Sequence, residues 1–137
     1  MKKQERIKVV IVEPMKAPRV EEIENTLEEK QAIVGGWIEC LSVDTINKDC
    51  KPYTIICNEE GKLNRLPLNR GLYHEYPLVF DEPWEIISGT FIVVADDWES
   101  GEFISLTDEQ IEEVMERFKY PEQFVRVGGL VLGIPIK

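Results

Sequence analysis

The stretch EIISGTFIVVADD, residues 85–97, decides the fold class. It is the strongest strand signal in the chain, an Ile-, Val- and Phe-rich run with Gly89 marking a bulge or a close approach of another backbone. Downstream, WESGE (98–102) turns the chain, FIS (103–105) resumes the strand, and LTDEQIEEVMERFKY (106–120) changes to a helical period. Thr107 and Gln110 have capping-box spacing, and Asp108 and Glu109 suit the positive end of the helix dipole. Ile111, Val114, Met115 and Phe118 form one apolar stripe. Pro121 ends it.

Upstream, RIKVVIVEP (6–14) is a short Ile/Val strand, and KAPRVEEIE (16–24) returns beside it with Val20 and Ile23 as apolar contacts. NTLEEKQAIVGG (25–36) is helical. Asn25 or Thr26 caps it, with Glu28 or Glu29 closing a capping box. Leu27, Gln31 and Val34 share a face with Ile33 beside them, and Gly35 and Gly36 terminate the turn. WIECLSV (37–43) and YTIIC (53–57) are strands that pair across the polar bend DTINKDCK. From residue 62 to 83, with three prolines, the periodicity fades and the chain reads as irregular. Long irregular segments in small domains are often functional. The tail FVRVGGLVLGIPIK (124–137) is a final strand or an oligomer contact. Together these elements predict a single α+β domain over residues 1–137, with a mixed or mainly antiparallel sheet and both helices packed on one face.

A chain of 137 residues, 43% hydrophobic and 31% charged, buries one core, and disordered, collagen-like and coiled-coil classes do not fit it. No apolar run reaches the roughly 18 residues of a membrane span, and the basic start MKKQER lacks a signal-peptide cleavage site. Cys40, Cys50 and Cys57 are an odd count without C-x-x-C spacing, which points to a reducing cytoplasm and to buried structural thiols. The net charge of −10 opposes a phosphate-binding nucleic-acid surface. Solubility accounts for it; a DNA-like acidic surface is the sharper alternative.

Catalytic signatures do not emerge. The single histidine, His74, lies in LYHEYP as a loop or interface residue, with no motif linking it to a cysteine. Asp96, Asp97, Glu99 and Glu102 surround a turn but lack EF-hand spacing, and VGGW follows a helix where a phosphate loop would open one. Neither a metal nor a cofactor is expected.

Positive charge gathers at one place, NEEGKLNRLPLNR (58–70). Lys62, Arg65 and Arg70 offer charge-assisted donors for phosphate or carboxylate, and Asn64 and Asn69 offer amides that read a base or sugar edge. Trp37, Tyr73, Tyr76 and Trp84 are aromatic candidates for stacking, with Trp37 and Tyr73 preferred. The competing account has Arg65 and Arg70 pairing with Glu59, Glu60 and Glu75 to pin the loop. Both readings fit the residues.

In order along the chain, KVVIVEP, LEEKQAIVGGWIE, CNEEGKLNRLPLNR, IISGTFIVV and GEFISLTDEQIEEVMERF resemble the small domain of unknown function number 3846, found in phages and conjugative elements of bacteria. The resemblance covers about residues 7–119; YHEYPLVFDEPWE and the tail 120–137 lie outside its pattern. It implies an accessory protein of a mobile element in the bacterial cytoplasm. Such proteins often counter host defence. On this basis the leading expectation is a non-enzymatic protein that sequesters a small anionic ligand of the nucleotide immune-signal class, held by Arg65 and Arg70, read by Asn69 and stacked on Trp37 or Tyr73. A homo-oligomer formed through the tail would help bury it. The alternative is an inhibitor that binds a host defence or restriction protein, through an acidic DNA-like surface or an apolar patch. Direct nucleic-acid binding and membrane association are not expected.

Overall fold

The computed structural model describes residues 5–46, 49–73 and 82–137. Within them the chain forms β1 (Arg6–Val12), β2 (Arg19–Glu24), α1 (Leu27–Val34), β3 (Ile38–Val43), β4 (Tyr53–Asn58), β5 (Leu68–Leu72), β6 (Glu85–Ser88), β7 (Phe91–Asp96), β8 (Phe103–Ile104), α2 (Asp108–Arg117), β9 (Glu122–Val127) and β10 (Leu130–Pro135). The main sheet runs β2-β1-β7-β4-β3, with β8 on β7; β5–β6 and β9–β10 are separate hairpins. Each of the described pairings is antiparallel. The fold is α+β, as the sequence predicts.

Strand alternation sorts the sheet into two buried faces. Val10 and Ile55 both stand opposite Val93, while Ile11 and Ile56 both stand opposite Ile92. The first set lies in a cluster with Val12, Phe91, Leu106, Val114 and Phe118; the second lies in a cluster with Ile7, Val9, Val34 and Val94. Val114 and Phe118 belong to α2, and Val34 to α1. The helices therefore cover opposite faces, which corrects the expectation of one shared face. The cause is connectivity. β2 and β3 are the two edges of the sheet, so α1, which joins them, crosses one face from edge to edge. α2 follows the β8 edge and takes the other face.

Local signals behave as their chemistry dictates. Thr107 and Gln110 form the full capping box, with Gln110 N donating to Thr107 Oγ1 at 3.1 Å and Thr107 N donating to Gln110 Oε1 at 2.8 Å. Thr26 caps α1, and Gly35, at φ +84°, closes it. The inward side of α1 is Lys30 and Val34, while Leu27 is half exposed. The buried Lys30 ammonium is accommodated because it donates to Asn25 Oδ1 at 2.7 Å and lies over the Phe103 ring.

Three further expectations change. EIISGTFIVVADD is two strands in two sheets: Gly89, at φ +81°, breaks the run, so β6 pairs β5 while β7 enters the main sheet. The supposedly irregular 62–83 segment contains β5, while His74, Glu75 and Tyr76 lie outside the described residues. The tail is a hairpin of two strands where one was expected.

Candidate binding face

The basic segment divides by burial. Arg70 is fully buried, and its guanidinium donates to Phe118 O from Nε at 3.2 Å and from Nη2 at 3.0 Å, to Lys16 O at 2.6 Å and to Asn69 Oδ1 at 2.9 Å. Asn69 Nδ2 donates to Val12 O at 2.9 Å and Gly89 O at 2.8 Å. The pair thus stitches β5 to the β1–β2 turn, to the β6–β7 break and to the carbonyl end of α2, where a cation is favoured by the helix dipole. Among the described residues Arg70 faces the carbonyls of Phe118 and Lys16 and the Asn69 amide, with neither Glu59 nor Glu60 among its partners; Glu75 lies outside the described residues.

Tyr73 is also interior. Its hydroxyl donates to Glu122 Oε1 at 2.5 Å, and Glu122 Oε2 accepts Gly71 N at 2.9 Å. Burial pushes the Glu122 carboxyl up from its ordinary range, against the weaker opposing pull of Tyr73, Gly71 N and the Arg70 charge. Lys62 pairs with Glu85. Asn64 and Arg65 remain exposed, and Trp37 is 67% exposed. The structure sets Trp37 beside this turn, because Trp37 O accepts Glu59 N at 2.8 Å. The cavity between β3, β4 and β6 at this end measures about 100 Å³ and is lined by Glu39, Glu59 and Glu85 as well as Lys62. It is small beside the roughly 300 Å³ or more of an ordinary ligand pocket. Its carboxylates also oppose an anion.

Of the cysteines, Cys57 and Cys50 are buried and Cys40 is exposed, so the expectation of burial fails for Cys40. Cys40 stands opposite Ile56 on the α1 side of the sheet, and its place on the edge strand β3 leaves it exposed. Burial pushes the Cys57 thiol up to about 12, which holds it protonated and poorly nucleophilic at neutral pH.

A different place gathers exposed apolar and acidic side chains. Two grooves, of about 480 and 540 Å³, meet at a ridge made by Pro52 and Trp98. Asp96 and Asp97 line both; Asp44 lines the first, and Glu99 and Lys51 the second. Trp98 is 90% exposed, the most exposed large apolar side chain among the described residues. The turn that carries it is rigid. Asp97 Oδ1 accepts Glu99 N at 3.1 Å, its Oδ2 accepts the Ser100 hydroxyl at 3.0 Å, and Gly101 N closes back on Asp97 O at 2.8 Å. Asp96 accepts the Thr54 hydroxyl, and Asp44 is anchored through its carbonyl by Arg117 Nη1 at 2.8 Å. Among the described residues no set of three His, Cys, Asp or Glu side chains converges as metal ligands.

In the sequence Asp96, Asp97 and Glu99 surround a turn without EF-hand spacing, and neither Asp44 nor Trp98 stands out. The available signal was a tryptophan at the tip of a tight polar turn, in DDWESG, where no core demands one.

The family model described as Domain of unknown function (DUF3846) matches residues 7–119. The chain belongs to the DUF3846 family. Trp98 and the acids of both grooves fall within the matched DUF3846 span, whereas Glu122 and the β9–β10 hairpin follow it. No curated protein and no solved structure matches this DUF3846 chain. None of the helices in the described residues is long and apolar enough to cross a membrane.

Proposed function

We propose that this protein is a phage or mobile-element accessory protein that acts by binding, and that its target is a host defence or restriction protein engaged through an acidic face. The observation that carries this reading is the pair of grooves meeting at Trp98, bordered by Asp44, Asp96, Asp97 and Glu99 against Lys51, the one cation among their described lining residues. Such a field attracts a positively charged protein surface and repels phosphate. The same surface on a nucleic-acid-binding defence protein is the one that holds DNA or RNA, so an occupied groove would compete with that function. The test is retention of host proteins on immobilised wild-type chain compared with Asp44→Lys and Glu99→Lys. A specific host protein held by the wild type and released by both reversals supports the reading; an identical retained set for all three removes it.

The capture of a small anionic ligand stands second. Its support is the position of the exposed Trp37 beside a turn that exposes Asn64 and Arg65. Arg70, Asn69 and Tyr73 no longer serve it, because their polar atoms hold the fold. Calorimetric titration with a panel of signalling nucleotides decides it: binding lost in Arg65→Ala and Trp37→Ala would restore this reading to first place.

A further inference from the structure

Resting on the protein-binding reading, we infer that the ridge at Trp98 is an arginine-recognition site, which seats an arginine-rich, extended segment of the target across the two grooves. Three observations select arginine. The first is the exposed indole of Trp98. An aromatic face held out in water by a rigid turn is a stacking platform, and a planar guanidinium can stack on it while keeping its donors in the ring plane. A compact ammonium can only approach the face as a point charge.

The second is where the carboxylates stand. Asp44 and Glu99 lie in different grooves, one on each side of the ridge, and both are exposed. Asp96 lines both grooves and, with the Thr54 hydroxyl already on Oδ2, keeps acceptor capacity on its other oxygen. Carboxylates flanking an aromatic face fit the fork of a guanidinium, which donates in its own plane to two acceptors. Asp97 is different: both its oxygens are engaged within the turn, so it positions Trp98 and leaves the charge contacts to its neighbours.

The third is size. Grooves of about 480 and 540 Å³ sharing the Pro52–Trp98 ridge accommodate side chains on both sides of one crossing chain. The edge of this site is backed by the Gln110 side chain, whose Nε2 donates to Pro52 O at 2.9 Å and to Lys51 O at 3.2 Å, and so fixes the Pro52 wall against the start of α2.

The experiment titrates the full chain with hexa-arginine, hexa-lysine and hexa-glutamate peptides, read by calorimetry and tryptophan emission, for wild type, Trp98→Ala, Trp98→Phe and Asp44→Asn. The expected result is saturable binding of hexa-arginine, about 5-fold or more weaker binding of hexa-lysine, and none of hexa-glutamate. Trp98→Ala weakens hexa-arginine binding about 10-fold, Trp98→Phe restores part of it, and Asp44→Asn reduces both affinity and salt dependence. Equal affinities for the arginine and lysine peptides, or binding indifferent to Trp98→Ala, would overturn arginine recognition. So would the absence of hexa-arginine binding. A host protein retained by the wild type and lost in Asp44→Lys, in the face of such a result, would leave protein binding standing with a different partner chemistry. Trp98 is on an exposed turn, so loss of fold does not confuse the variants, and circular dichroism of each checks this.

Discussion

Replacing Arg70 by alanine separates a buried structural arginine from a ligand-binding one. The wild-type guanidinium is 0% exposed and, among the described residues, donates four hydrogen bonds to three acceptors: the carbonyls of Phe118 and Lys16 and the side chain of Asn69. Truncation strands those acceptors in the interior at about 1–3 kcal/mol each. It also removes a cation from the carbonyl end of α2 and opens a void among β5, the β1–β2 turn and α2. Water entering that void recovers part of the loss, so the expected destabilisation is about 3–5 kcal/mol, the lower part of the sum over three stranded acceptors. Urea unfolding followed by far-ultraviolet circular dichroism measures it. With a slope of about 2 kcal/mol per molar, the midpoint falls by roughly 2 M. Arg65→Ala, an exposed control, should stay within about 0.5 kcal/mol of wild type. A loss below about 1 kcal/mol for Arg70→Ala would refute the argument, since it would mean that the guanidinium is dispensable to the fold and free for other work.

Three further outcomes follow from the same geometry. Arg65 sits at φ +56°, in the left-handed region, so Arg65→Gly should raise stability by about 0.5–1 kcal/mol in the same unfolding assay, and a decrease would contradict the assigned backbone strain. Glu122 has a folded-state pKa raised above its unfolded value, so its favourable contribution is complete below about pH 4.5 and fades as pH rises through the folded value. Glu122→Gln carries no such titration; the stability of wild type relative to Glu122→Gln should fall as pH is raised from about 4.5 to 8, and a constant difference would remove burial as the dominant influence on this carboxyl. A Cβ at Gly133 would overlap Tyr73 Oη and lie 2.9 Å from Glu122 Oε1. Gly133→Ala should therefore cost about 1–3 kcal/mol, measured by thermal unfolding, and an unchanged midpoint would show that the β9–β10 hairpin is not clamped against Tyr73.

What the sequence by itself determined was local. The capping box of Thr107 and Gln110, the stripe of α2 and the glycine end of α1 depend on neighbours three or four residues away, and each was legible for that reason. The α+β class followed from period changes alone. The family followed from the order of its blocks along the chain. Tertiary structure decided everything that depends on which distant backbone comes close. It broke EIISGTFIVVADD at Gly89 between two sheets, because the β5 partner that claims Ile86 and Ile87 is not the β1 and β4 pair that claims Ile92 and Val93. It carried α1 across the face opposite α2, because β2 and β3 ended as opposite edges. It took Arg70 and Asn69 from the list of ligand contacts, because the carbonyls of Val12, Lys16, Gly89 and Phe118 converge on them from four separate places in the chain. A charge in a polar sequence context reads as solvent-facing until those carbonyls are seen. An exposed tryptophan among acids reads as turn decoration until the grooves on either side of it are seen.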